Sequence, residues 1–159
     1  MKVRHLQRGF TLVEALVALL VLSIGLLGVA GLQLSSLRAN TSSAYRSQAT
    51  FLAYDIADRM RANRQAALKG DYLIAFGDAA PTSTATVASR DLNEWRSRVT
   101  GGSVLPGGAE AEIGWADEAN GVVAIRIQWT DTHGDTQLAQ ATTSGHETGL
   151  ITFEMRTRI

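Results

Sequence analysis

The chain is predicted to be α+β, with one long N-terminal helix packed on a small antiparallel β-sheet, and three patterns predict it. Residues 10–68 contain no proline and keep a helix-compatible composition. Within that stretch Tyr45, Ala49, Leu52, Ile56 and Met60 recur at spacings of four, three, four and four, which lays them in one stripe along a helix. Farther on the period falls to two. Val123, Ile125, Ile127 and Trp129 alternate with Ala124, Arg126 and Gln128, as Ile151, Phe153 and Met155 do with Thr152, Glu154 and Arg156. The strands are half-buried, and the helical stripe is their seat.

The helix begins as a membrane-spanning half. From Ala15 to Leu32 only Ser23 interrupts an apolar run of 18 residues, which at 1.5 Å per residue extends about 27 Å, close to the hydrocarbon thickness of a bilayer. Lys2, Arg4 and Arg8 precede it and favour a cytoplasmic N-terminus with the remainder exported. A secretory signal has a shorter apolar segment closed by a small-residue cleavage site. Here Val29-Ala30-Gly31 runs on into Leu32-Gln33-Leu34, and the small residue at a sharp polar-to-apolar boundary is Gly9. Cleavage after Gly9 removes the basic leader and leaves the apolar helix in place.

The expected organisation is a cytoplasmic leader at 1–9, a long helix at 10–69 with its membrane span at about 10–34, and an exported head at 70–159. Gly25, Gly28 and Gly31 either loosen the helix or let neighbouring helices pack closely. Asp55 and Arg59 form an i, i+4 pair, and Lys69-Gly70 reads as a basic last turn and C-cap that ends the helix near Gly70. A helix of that length reaches about 90 Å, too long for an isolated compact domain and suited to a filament subunit.

In the head, Gly77 to Thr84 reads as a loop, and a short helix is expected at about 90–99 with Ser89 as its cap. Leu105-Pro106-Gly107-Gly108 is a turn. Ala111 to Ala116 supplies a partner strand, joined to Val122 through a segment whose Asn120-Gly121 favours a tight turn, and a weaker strand follows Asp131-Thr132-His133-Gly134.

Charge is uneven although the total is zero. From Tyr72 onward there are eleven acids and six bases, a net of −5, against six bases and two acids, +4, from Arg38 to Lys69. An acidic head argues against nucleic-acid binding, which needs clustered lysines and arginines. The opposite signs read as solvated faces, with packing between neighbouring subunits as the second reading. The absence of cysteine removes disulfides, thiolate metal sites and cysteine nucleophiles. Asp131, His133 and Asp135 sit close enough for a metal, but a glycine turn produces the same grouping, and His146 lies in a polar loop. No nucleophile elbow, phosphate loop or paired-carboxylate pattern appears. No catalytic residue, cofactor or metal is therefore assigned, and Trp95, Trp115 and Trp129 read as core or interface residues.

One residue resists a structural reading. Glu14 puts a carboxylate inside the apolar helix, at a cost of roughly 2.5–3.5 kcal/mol on insertion scales. The order of basic leader, Gly9, Phe10, Thr11, Leu12, Val13, Glu14 and apolar run resembles the processing motif of type IV prepilins and their relatives in type II secretion. That resemblance implies a pilin-like fold and a membrane peptidase that cuts after Gly9 and N-methylates the new terminus at Phe10. It also makes Glu14 the carboxylate that guides assembly. A methylated amine stays cationic, and a carboxylate in low dielectric gains much from meeting it on a neighbouring subunit; the plainer alternative is that Glu14 snorkels to the headgroups.

Leu26 to Gln33, Ala53 to Asn63, Trp95-Arg96 and Leu105 to Gly108 are similar to PilV-like minor pilins of type IV pili. This implies a low-abundance subunit of the inner membrane and then the surface pilus. Its partners are the prepilin peptidase, other minor pilins and the major pilin, and it acts in assembly priming, adhesion and twitching motility. A type II secretion pseudopilin is the second reading, and a membrane-anchored periplasmic enzyme or binding protein the third.

Overall fold

A computed structural model of the chain describes residues 11–106, 108–130 and 150–159. It is α+β, a long N-terminal helix packed on a three-stranded antiparallel sheet. The chain divides into two compact units, the first ending at Leu37 and the second running from Arg38 to Ile159, each described by itself below.

Helix α1 spans Leu12–Ala62. In the second unit it presents Ala49, Leu52, Ile56 and Met60 to the core, with Tyr45 packed beside them, so the stripe at helical spacing is the buried one. Ala53 and Ala57 are buried with it, and two small side chains there let neighbouring elements approach the helix backbone.

The helix does not run unbroken to Gly70. It stops at Ala62, and α2 takes over from Arg64 to Leu68 after Asn63 adopts φ −116°, ψ 50°. Asn63 still accepts from the Ala67 N–H at 3.1 Å and donates its own N–H to the Arg59 carbonyl at 3.0 Å, while its side-chain amide donates to the Tyr72 hydroxyl at 3.2 Å. Asparagine competes poorly in helix interiors because its amide finds other partners, and here a tertiary partner redirects the axis. The expected C-cap is present: Gly70 has φ 87°, its N–H reaches the Ala67 carbonyl at 3.0 Å, and the Asp71 N–H reaches Ala66 at 3.1 Å, a Schellman closure.

Helix α3 spans Val87–Thr100, starting earlier than the sequence suggests. Its N-cap is Thr86, not Ser89; Thr86 Oγ1 accepts from the Ser89 N–H at 3.1 Å and Ser89 Oγ accepts from the Thr86 N–H at 3.2 Å. Serine thus serves at the third helical position of a capping box. Between α2 and α3 the loop pairs with the sheet through an antiparallel bridge between Ile74 and Ile113.

Strands β1 (Glu110–Asp117), β2 (Val122–Thr130) and β3 (Leu150–Arg158) lie in that order, antiparallel throughout. The register makes one face apolar, aligning Ala111, Ile127 and Phe153, then Ile113, Ile125 and Met155. The other face aligns Glu112, Arg126 and Glu154, and Arg126 bridges both carboxylates at 3.1 Å. Asn120-Gly121 closes a longer connection than a two-residue turn, because the register resumes at Asp117 and Val122 after a shift. Gly121 has φ 65°, which favours glycine, and a Cβ there would stand 3.2 Å from Leu68 Cδ2, which would have to give way. Its carbonyl accepts the Ile159 N–H at 2.9 Å, which ties down the end of the chain. The weaker strand expected after Asp131-Thr132-His133-Gly134, and Asp131, His133, Asp135 and His146 themselves, lie outside the described residues.

Candidate functional site

Of the three residues in the processing motif, Glu14 is described; Gly9 and Phe10 are not. Thr11 precedes the first helical residue, and its carbonyl accepts the Ala15 N–H at 3.2 Å, the first turn of α1. Thr11 Oγ1 also accepts the Glu14 N–H at 3.3 Å. Thr11-x-x-Glu14 is therefore a helix-start signature as well as part of the motif, and its spacing is legible in the sequence. A carboxylate in the first turn is favoured by the helix dipole, which offsets part of the cost of placing it in an apolar helix. Its side chain is exposed within the chain.

The same exposure holds along the helix from that point. Fifteen large apolar side chains between Leu12 and Leu37 are each more than half exposed, and none of the most apolar window is buried. At about 1.5–3 kcal/mol for each side chain removed from water, covering them is worth on the order of 20–40 kcal/mol. Among its described residues the first unit supplies no such cover. Gly25, Gly28 and Gly31 have open space where a Cβ would stand, so nothing among the described residues requires them to be glycine.

The second unit is held by polar side chains that sequence reasoning saw only in part. Asp55 and Arg59 pair at 3.3 Å as expected, but Arg59 also reaches across to α3, meeting Asp91 at 3.2 Å and both oxygens of Glu94 at 2.9 and 3.2 Å. The Glu94 hydrogen bond, ahead of the Asp55 charge and against the cost of burial, raises the Arg59 pKa well above its ordinary value, and Arg59 in turn lowers that of Glu94. Arg98 returns the contact to Asp55 at 2.9 Å. Part of the basic stalk and acidic head charge is thus neutralised inside one subunit.

Beneath this fork the Tyr72 hydroxyl donates to Asp91 at 2.6 Å. Burial first, then that hydrogen bond, pushes the phenol up to about 12. Arg96, buried in α3, donates to the carbonyls of Ala111, Asp78 and, at 3.5 Å, Ala75, joining the 75–78 loop to β1; burial lowers its pKa. A guanidinium with five donors suits three separated carbonyls, and no periodicity in the sequence announces such a role.

Trp95 and Trp129 are fully buried, as core residues, and Trp115 packs against the core half-buried. Trp95 Nε1 donates to the Leu52 carbonyl at 2.8 Å, whereas Trp129 Nε1 has no acceptor among the described residues. Such an unmade buried hydrogen bond costs about 1–3 kcal/mol.

A helix with an uncovered apolar start and a carboxylate in its first turn, whose second half seats a small antiparallel sheet, defines a pilin-type subunit. Two family models match adjoining stretches: the prokaryotic N-terminal methylation motif over residues 4–30 and type IV pilin Tt1218 over residues 31–94. Together they span more than half of the chain, and the chain belongs to the type IV pilins. No curated protein and no solved structure matched. This is a family of structural subunits, built for anchoring in a membrane and assembly with other pilins into a pilus.

Proposed function

We propose that the chain is a minor pilin of a type IV pilus, PilV-like in its helix from Ala53 to Asn63, that primes filament assembly and through it affects adhesion and twitching motility. In this reading prepilin peptidase removes residues 1–9 by cutting after Gly9 and methylates Phe10. The segment at about 10–34 crosses the inner membrane with the N-terminus cytoplasmic. On assembly it leaves the lipid for a bundle of like helices that includes other minor pilins and the major pilin.

The observation that carries the reading is Glu14 at the first turn of a helix whose apolar side chains from Leu12 to Leu37 are uncovered among the described residues. In the membrane or the bundle a charge at that position is costly unless paired, and the methylated Phe10 amine of a neighbour is a cation at the same depth. Because Glu14 also lies at the helix start, its substitution needs a control for insertion. Glu14→Ala is expected to leave precursor level, membrane insertion and processing intact while the variant disappears from sheared pili; Glu14→Asp should restore part of its incorporation. Normal incorporation of Glu14→Ala sinks the assembly role. Deletion of the chain is expected to reduce surface pili and twitching and to leave exoprotein release unchanged, the opposite of what a secretion pseudopilin would give.

A further inference from the structure

Of the four asparagines in the chain, Asn120 is the one followed by glycine; Asn40, Asn63 and Asn93 precede Thr41, Arg64 and Glu94. Without a Cβ, a following glycine lets its backbone nitrogen swing onto the asparagine amide carbon, so this pairing is the one most open to self-modification. Asn120 lies in the connection between β1 and β2, where residues 116–120 are all exposed to water. In the folded turn, however, both reacting groups are occupied. Asn120 Nδ2 donates to Asp117 Oδ2 at 2.7 Å, and the Asn120 N–H donates to Asp117 Oδ1 at 3.2 Å. The Gly121 N–H donates to the Glu118 carbonyl at 3.1 Å, and Gly121 is buried. On its far side the Gly121 carbonyl is held by the Ile159 N–H at 2.9 Å. The Asn120 amide first, and its N–H second, hold the Asp117 carboxyl below the usual carboxylate range, so it is a charged acceptor at neutral pH. Asp117 grips the amide that would be attacked and does not meet the Gly121 N–H, so its position is that of a clamp and not of a base.

We infer that Asn120 is a deamidation site that its turn keeps closed, with Asp117 as the positioning residue that sets the rate. When the turn opens, the Gly121 nitrogen gives its proton to water or hydroxide and bonds to the Asn120 side-chain carbonyl carbon. The bond from that carbon to Nδ2 breaks, and Nδ2 takes up a proton and leaves as ammonia. Water then adds to either carbonyl of the resulting succinimide and breaks one ring C–N bond, giving aspartate or isoaspartate. The net change is one water gained and one ammonia lost. The product sets a second carboxylate where Asp117 had its amide donor, so like charges replace a charge-assisted hydrogen bond. Isoaspartate also routes the main chain through the side-chain carbon, which lengthens a connection whose register is set between Asp117 and Val122. The modification is one-way, and it marks chains in which this turn has opened.

The test incubates the full chain in detergent at neutral pH over weeks and follows isoaspartate in the tryptic peptide 99–126, in which Asn120 is the sole asparagine and glutamine is absent. The folded chain is expected to convert about tenfold more slowly than the same chain unfolded in urea, and Asp117→Ala to recover most of that factor. Asp117→Ser keeps an acceptor for the Asn120 N–H and loses the carboxylate grip on the amide, so it should fall between the two at the melting temperature of the parent. If Asp117→Ala melts well below the parent, the serine variant decides. The inference is overturned if folded and unfolded chains convert at the same rate, if the deciding variant converts no faster than the folded parent, or if aspartate accumulates without isoaspartate, which would mean hydrolysis with no ring. The readout is on the isolated chain, so it stands or falls apart from filament assembly.

Discussion

Helix α1 is one element with two kinds of surroundings. From Leu12 to Leu37 its leucines, valines and isoleucine are uncovered on all sides, whereas from Ala49 to Met60 it buries one stripe and leaves the rest to water. The first stretch is apolar all round, a pattern that makes sense only where something outside the chain does the covering; the second is amphipathic and finds its cover in the chain's own sheet and α3. Helical geometry alone does not separate the two stretches. What separates them is where the apolar area goes.

Substitutions of like size in the two stretches should therefore behave oppositely, and this is the largest effect expected. Leu52→Ala, at a core position 1% exposed, is predicted to destabilise the head by about 2–5 kcal/mol in thermal or denaturant unfolding of the detergent-solubilised chain. Leu20→Ala, at a position 55% exposed, should leave head unfolding unchanged. Equal losses at both positions would mean that the apolar half contributes to the stability of the head.

The fork at Arg59 sharpens the comparison, because it marks how the amphipathic half is locked to α3. Arg59→Met keeps the stem but removes hydrogen bonds to Asp55, Asp91 and Glu94, and is expected to cost about 1.5–3 kcal/mol in the same measurement, with Asp91 left facing only Tyr72. A loss below the error of the measurement would reduce the fork to a surface feature.

A smaller effect is the pH dependence owed to Tyr72. Its folded pKa, about 12, stands above the ordinary 10, so the folded state favours the protonated phenol. That contribution is fully present below pH 10 and is lost as pH rises toward 12, amounting to about 3 kcal/mol once both states are ionised. Tyr72→Phe should be flatter than the parent across that window, and parallel profiles would contradict the assignment. At the acid end, Glu94 and Glu154 are held below the usual carboxylate range by Arg59 and by Arg156 with Arg126 respectively. Their contributions are present above that range and are lost as pH falls below it, through their lowered folded values.

The parts of the fold legible in the sequence are those set by local periodicity. The stripe from Tyr45 to Met60, the alternation in β2 and β3, the pair Asp55 and Arg59, and the Gly70 cap all follow from spacing and from the needs of one backbone position. The break at Asn63 was not legible, because it depends on Tyr72, nine residues away and on another segment. The three-residue shift of the α3 cap came from choosing Ser89 where Thr86 shares the same box; both residues fit, and only the backbone distinguishes them. Arg96 reads as one more helix arginine until α3 is placed against the 75–78 loop and β1, whose carbonyls it gathers. Gly9 and Phe10 lie outside the described residues, and at Glu14 the structure adds the Thr11 cap that starts the helix at its turn.

The chemical start of the mature chain tests the account most directly. Intact-mass and N-terminal peptide analysis of the protein recovered from sheared surface pili should find a chain beginning at Phe10, its amine carrying one methyl group, and no peptide from residues 1–9. A chain that still begins at Met1, or one cut beyond the apolar run and recovered as a soluble exported protein, would contradict it.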